Sequence, residues 1–370
     1  MKIQLRKPFF PEESIKKIQN DVRDCLISGQ LTLGKNVKKF EMSFAKYLNI
    51  KYAVAVTSAT AGLHLSLLSV GIKKDDEVIV PAKTFISTAN AALYCNAKPI
   101  FCDIEEDTFL IDTSKIEDLI TEKTKAIIPV HIGGNICNME KITKIAKKYN
   151  LKIIEDAAHA HGATRNRIYA GTIGHIGVFS FYPDKIMASS DGGIIVTNSK
   201  QIFDKLQLLR NVGRKEIGKY DYELIGYNYR MNEIQAVLAQ YQLKLLPEML
   251  KIRRNIANNY NDALNNMKNL ESQYIESSVN SSYYSYIIKL KKGNLNNVRK
   301  KLKIKGIETS PMFTTVYKTK IYQKLFNKTN VCPISEKLDS QTFTIPLHPA
   351  LNQKEIQYTI NSIKEIIPKN

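Results

Sequence analysis

Residues 151–159 read Leu151-Lys152-Ile153-Ile154-Glu155-Asp156-Ala157-Ala158-His159, and residues 177–185 read Gly177-Val178-Phe179-Ser180-Phe181-Tyr182-Pro183-Asp184-Lys185. Each opens as an apolar run of the kind expected for a strand covered on both faces. Each closes in polar groups, an acid and a histidine in the first and a lysine in the second. Ligands of open α/β sheets bind at the carboxyl ends of the strands, where these groups would stand. The same rhythm extends outward from about residue 50 to 200. Strands are expected over 52–56, 77–80, 99–103, 126–130, 151–154, 177–181 and 193–197, with helices over 59–70, 87–94, 113–119 and 142–149. This alternation predicts an α/β fold with a mostly parallel central sheet.

The rest of the chain has a different texture. After Gly226-Tyr227-Asn228-Tyr229-Arg230-Met231, a helical pattern covers 232–265, with Ile234, Val237, Leu238, Tyr241, Leu245 and Met249 in period. Pro247 is expected to kink or break it. A strand over 282–290, helices over 297–305 and 353–367, and the apolar run 342–346 predict a smaller α+β domain. The expected division is 1–240 for the large domain with its N-terminal segment, and 241–370 for the small one. With no internal repeat or low-complexity linker, the two are expected to pack tightly.

Composition bounds the function. The chain has 370 residues, 44% of them hydrophobic and 24% charged, which reads as soluble and globular. No apolar stretch approaches the ~20 residues of a membrane span. The first residues lack the apolar core of a signal peptide, so the expected location is the cytoplasm. Cys25, Cys95, Cys102, Cys137 and Cys332 are scattered, form no CxxC pair and read as core thiols. The net charge of +19 raises nucleic-acid binding as a function of another class. Its lysines are spread along the chain, however, and a dianionic substrate suits the charge equally well.

The chemistry centres on Lys185 and Asp156. A lysine that can bond an aldehyde and an acid that can protonate a pyridine ring are the two groups pyridoxal phosphate (PLP) most needs. Taken alone, Asp156 reads rather as a helix N-cap, because capping by Asp is so common. Thr57-Ser58-Ala59-Thr60-Ala61-Gly62 follows a strand and opens a helix. Its free N–H groups, with the hydroxyls of Ser58 and Thr60, suit a phosphate, though an ordinary Ser/Thr cap fits the same residues. Ser180 would be a further hydroxyl donor. Phe85 could stack on a bound ring or could be core. His159, three residues past Asp156, would lie near the acid on a helical turn. His159 and His161 are two apart and do not share a helix face, which argues against a metal site. The dinucleotide fingerprint GxGxxG, the P-loop and the GxSxG elbow are all missing.

The joint order of these stretches resembles the DegT/DnrJ/StrS family of PLP-dependent sugar aminotransferases over almost the whole chain. The matching stretches are 28–34, 57–62, 81–85, 127–131, 155–159, 179–185 and 226–231. The resemblance implies the aspartate-aminotransferase-like fold (fold type I). It implies that Lys185 holds PLP covalently, Asp156 pairs with the ring nitrogen, His159 contacts the ring hydroxyl and Phe85 stacks on the ring. Ala59, Thr60 and Ser180 would bind the phosphate together with Ser58. Asn228 would reach the phosphate of a partner subunit, implying a homodimer with shared active sites. Thr32, Leu33 and Gly34, with Met312 and Phe313 of the 310–313 segment, look like parts that touch a nucleotide sugar. L-Glutamate is the implied amino donor and a nucleotide-linked 4-keto-6-deoxy sugar the implied acceptor, aminated at C4, with C3 amination as the alternative. UDP is favoured as the carrier over GDP or dTDP. Dehydratases of the family carry histidine in place of Lys185, so lysine here implies transamination. The chain departs from the family pattern at Ser190-Asp191, at Val212 and at Ser310.

Overall fold

Two amphipathic helices, α1 (Glu12–Ser28) and α2 (Lys35–Leu48), precede the first strand, in a region where the sequence reading places no element. The computed structural model describes residues 2–215, 220–326 and 331–367. Next come β1 (Tyr52–Val56), α3 (Ala59–Ser69), β2 (Glu77–Pro81), α4 (Ile86–Tyr94), β3 (Lys98–Cys102), β4 (Thr124–Ile127), α5 (Met139–Lys148) and β5 (Lys152–Asp156). A hairpin of β6 (Thr164–Arg165) and β7 (Ile168–Tyr169) leads to β8 (Ile176–Ser180), β9 (Gly193–Thr197) and α6 (Lys200–Arg210).

Seven strands form one sheet in the order β1-β9-β8-β5-β4-β2-β3. Strand β9 runs antiparallel to β1 and β8, and the remaining neighbours pair in parallel. The sheet is buried on both faces, which explains its near-continuous apolar strands. Ala55, Ile79, Ile127, Ile153 and Phe179 pack with Phe40 and Phe44 of α2 and Ile142 of α5. Their neighbours Val54, Val78, Val80, Ala126, Ile154 and Val178 face the other way, onto α3, α4 and α6. The fold is a mixed α/β sandwich, with the carboxyl ends of β5 and β8 near its middle.

The long helix α7 (Glu233–Leu264) starts at a capping box formed by Asn232 and Gln235. It runs unbroken through Pro247, so of the expected kink or break the break does not occur. Proline in a helix interior costs about 3 kcal/mol. Leu246, Met249 and Leu250, buried beside it in the main core, supply more than that by burial. Residue 240 lies inside this helix. Then follow β10 (Leu270–Ser272), β11 (Val279–Asn280), β12 (Tyr286–Leu290), α8 (Leu295–Ile304), β13 (Ser310–Pro311), α9 (Lys320–Leu325), α10 (Pro333–Asp339), β14 (Thr342–Ile345) and α11 (Gln353–Ile366). Antiparallel strands in the order β10-β12-β14-β13 make a second sheet. It shares a core with α8, α11 and the distal part of α7 through Ile288, Phe343, Leu302, Ile360, Ile256 and Tyr260.

Two further expectations change. Residues 113–119 form two short 3-10 turns, Thr113–Lys115 and Glu117–Leu119, in place of one helix. Only Tyr286–Leu290 of the expected strand 282–290 is extended pairing. Upstream, Ser281 Oγ donates to the Gly134 carbonyl at 3.0 Å and Ser282 Oγ to the His159 carbonyl at 2.9 Å. These bonds draw the segment onto the large sheet and bring Tyr284 to its carboxyl edge. All five cysteines are buried. No described helix is long and apolar enough to cross a membrane.

Candidate active site

Asp156 ends β5 and is buried. Its Oδ2 accepts from the Thr88 hydroxyl at 2.8 Å, and its Oδ1 from the Ala158 N–H at 3.2 Å. No helix follows it, so the capping reading falls away. Burial pushes its pKa above the usual carboxylate range, while Thr88, the Ala158 N–H and the charge of Lys185 pull it back. Thr88 sits in the first turn of α4, and its hydroxyl also lies 3.1 Å from that of Thr84. The sequence reading missed it, although Thr84, Ser87 and Thr88 form a hydroxyl-rich run just past β2.

Lys185 stands on the turn after β8, with its backbone N–H bonded to the Tyr182 carbonyl at 2.8 Å. Its Nζ donates to the Tyr284 hydroxyl at 3.3 Å and lies 3.5 Å from Asp184 Oδ1. Burial lowers the affinity of this amine for a proton. Arg6 adds to that, while Asp184 and Asp156 oppose it. Tyr284 and Arg6 come from parts of the chain with no sequence signal for the site.

His159 is buried, with its ring stacked on Tyr284 at 4.0 Å between centroids and on Phe313 at 5.7 Å. Its Nδ1 has no hydrogen-bond partner among the described residues. Burial, with Lys185 and Arg6 nearby, holds it well below the usual histidine range, so it is neutral. The turn beyond Asp156 is not helical, and His159 reaches the site by stacking. Phe85 is 55% exposed and meets Phe313 at 5.9 Å, so it is a surface ring at the mouth of the site and not a core one. Met312 is buried beside them. The buried Lys83 holds this loop: its Nζ donates to the Phe313 carbonyl at 2.7 Å and to Asp339 Oδ1 at 2.5 Å.

At the start of α3, the Ser58 hydroxyl accepts from the Ala61 N–H at 3.1 Å, and the Thr60 hydroxyl donates to Ser87 Oγ at 2.8 Å. Ser58 therefore is a cap, and Ala59 and Thr60 open the helix at a sheet edge that Gly193 must approach without a side chain. A Cβ on Gly193 would lie 2.6 Å from the Ala59 nitrogen. Ser180 is buried at the end of β8, its Oγ 3.4 Å from the Tyr182 N–H. Asn228 is exposed, on a segment bridged to Asn211, and joins none of these contacts. Thr32 and Leu33 lie on a turn bridged to Asn232, with Leu33 at φ 48°. The Gly34 N–H donates to Glu233 Oε1 at 2.8 Å, and Glu233 also accepts from the Asn36 and Val37 N–H groups at 2.9 and 3.0 Å.

Behind the site, Glu155 and His131 are fully buried, 2.9 Å apart. The Cys137 N–H donates to His131 Nδ1 at 3.3 Å, so Nε2 carries the proton toward Glu155. Glu155 accepts three more bonds, from the N–H groups of Gly171 at 2.8 Å, Ile173 at 2.7 Å and Gly174 at 2.5 Å. It thereby fixes β5 and the loop into β8, the two elements that carry Asp156 and Lys185.

A lysine and a buried acid at adjacent strand ends, beside a hydroxyl-capped helix start, define the class: an aminotransferase of fold type I. The chain belongs to the DegT/DnrJ/EryC1/StrS aminotransferase family, whose model matches residues 12–364. It is 35% identical to a GDP-perosamine synthase of Caulobacter vibrioides, over 94% of this chain and 94% of that one. It is 32% identical to a dTDP-3-amino-3,4,6-trideoxy-alpha-D-glucose transaminase of Micromonospora megalomicea, over 95% of this chain and 94% of that one. A protein described as a sugar aminotransferase, Spr1654 of Streptococcus pneumoniae in its PLP form, superimposes with a TM-score of 0.93 at 27% identity, covering 100% of this chain and 99% of that one.

Proposed function

We propose that this protein is a PLP-dependent aminotransferase that moves an amino group from L-glutamate to C4 of a nucleotide-linked 4-keto-6-deoxy sugar. The observation that carries the reading is the placement of Lys185, on the turn after β8, next to the buried Asp156 at the end of the neighbouring strand β5. The residues fit the cofactor. His159 Nδ1 is a buried polar atom with no hydrogen-bond partner among the described residues, and Phe85 is an open aromatic face.

Bound PLP supplies an aldehyde that carries the amino group and a ring that draws electrons from the reacting carbon. Asp156 would hold the ring nitrogen protonated through a charge-assisted hydrogen bond. Ser58, Ala59, Thr60 and Ser180 bind the phosphate, with the start of α3 as the positive end of a helix dipole. Phe85 would cover one ring face and His159 would contact the ring hydroxyl. Lys185 Nζ is the proton carrier. It would take a proton from the carbon of the incoming amine and return it to the cofactor carbon that receives the amino group, and would move a proton the opposite way in the sugar half-reaction. Its burial favours the neutral amine that this task requires. The two half-reactions share one site, so the kinetics are ping-pong.

Thr32, Leu33, Gly34, Met312 and Phe313 flank the sugar nucleotide. Exposed Asn228 is free to reach a second copy of the chain, so the working unit is a homodimer acting in the cytoplasm. The expected division at residue 240 falls within α7, which runs from the core of the cofactor domain into that of the smaller domain. C3 amination is the second reading, favoured by the name of the 32% relative. The 35% relative, by its name, concerns a GDP sugar, which sets GDP beside the UDP carrier expected from the sequence. The test incubates PLP-loaded protein with L-glutamate and 4-keto and 3-keto sugars on UDP, GDP and dTDP, and locates the new amine by NMR. An amine at C4 supports the reading. An amine at C3 moves it to the second, and no 2-oxoglutarate with any acceptor rejects both.

A further inference from the structure

Three distant parts of the chain meet at Asp184. Its Oδ2 accepts from Arg6 Nη1 at 2.8 Å, from the N-terminal segment, and from the Tyr284 hydroxyl at 2.9 Å, from the segment before β12. Its Oδ1 has no hydrogen-bond partner among the described residues and lies 3.5 Å from Lys185 Nζ. Arg6 is fixed by more than this pair. Its Nη2 donates to Ser285 Oγ at 3.0 Å, and its guanidinium lies 4.5 Å from the Tyr284 ring centroid. Tyr284 is held from behind by Arg253, whose Nη1 donates to the carbonyls of Tyr283, Tyr284 and Leu347 at 3.2, 3.4 and 2.9 Å.

The groups around Lys185 can be assigned in turn. Asp184 comes from its own turn, Asp156 from β5, Tyr284 from the small domain, Arg6 from the N-terminal segment and Arg253 from α7. His159 and His161, past β5, are kept neutral by burial. Asp156 is committed to the cofactor ring, which leaves Asp184 as the counter-ion on the lysine side. An Arg6–Asp184 pair with side chains 22% and 29% exposed is worth little as a structural tie alone.

We propose that Asp184, clamped by Arg6 and Tyr284, is a positioning residue for Lys185, and that Asp184 and Arg6 act in opposition to set the charge on the lysine nitrogen. The inference rests on the reading of Lys185 as the PLP-bearing residue.

The test is a pH titration of the visible absorbance of PLP-loaded protein, for wild type, Asp184→Asn, Arg6→Gln and Arg6→Lys. Removing the anion should lower the midpoint and removing the cation should raise it, each by about one pH unit. Arg6→Lys should restore the wild-type midpoint. A structural tie predicts unmoved midpoints, or shifts of both neutral variants in the same direction, and either overturns the inference. If Asp184→Asn does not fold, the Arg6 pair decides: an upward shift in Arg6→Gln that Arg6→Lys reverses supports it, and no shift or a downward one refutes it. A wild-type protein that takes up no PLP overturns the reading of Lys185 and this inference with it. A normally coloured wild type with unmoved variants overturns the inference alone.

Discussion

Thr88→Val isolates the hydrogen bond that prepares Asp156. The substitution keeps the side chain's shape and deletes a hydroxyl whose oxygen lies 2.8 Å from Asp156 Oδ2, with both residues buried. A hydrogen bond to a charged group contributes about 1.5–3 kcal/mol, and a buried acceptor left without its donor costs a similar amount. The variant should therefore lose about 1.5–3 kcal/mol in urea unfolding of the PLP-free protein at pH 8. The pH dependence carries a sign. Burial raises the native Asp156 value above 3.8, so this group favours the folded state most below 3.8 and loses that contribution as pH rises through its native value. Thr88 counters the loss by stabilising the carboxylate, so deleting it raises the native value further. The cost of Thr88→Val should be largest where Asp156 is ionised and shrink as pH falls toward the native value. Thr88→Ser should recover most of it. A cost below about 0.5 kcal/mol at pH 8, or one that grows from pH 8 to pH 5, would refute the reasoning.

Three other perturbations follow from the same geometry. Glu155→Gln points an amide at donors that now meet a carboxylate, and should cost about 3–5 kcal/mol by denaturant unfolding, with a loss under about 1 kcal/mol contradicting the account. Lys83→Met leaves the Phe313 loop without its anchor. It should raise KM for the sugar nucleotide about tenfold with a smaller change in kcat, and an effect confined to kcat would count against it. Gly34→Ala would place a Cβ 2.8 Å from Glu233 Cδ and 2.9 Å from its Oε2. That forces the 32–34 turn to move, so sugar binding should weaken in a titration while the PLP absorbance stays as in wild type.

The sheet was legible because both of its faces are buried, which writes its strands as apolar runs. Val54 and Ala55 face opposite cores, yet both are apolar. Helix α7 was legible at its start, where Asn232 and Gln235 form a capping box, and its continuity past Pro247 was not, because burial of Leu246 and Met249 is a tertiary effect that local propensity does not contain. Lys185, Asp156, His159, Phe85 and Phe313 could be named because they punctuate strand ends or belong to motif stretches. Arg6, Tyr284, Thr88 and Lys83 could not. Their relevance exists only once the N-terminal segment, α4 and the small domain converge on the same sheet edge, and each taken alone is an ordinary surface or core residue.

The central claim is that Lys185 carries PLP and cycles it with an amino donor. The most direct measurement is the visible spectrum of purified protein with PLP, before and after L-glutamate, beside Lys185→Ala. The account predicts a yellow band in wild type that glutamate converts to the pyridoxamine form, and a variant that binds PLP without forming the lysine-linked band. A wild-type protein without that band, or a Lys185→Ala variant that forms it and responds to glutamate as wild type does, would contradict it.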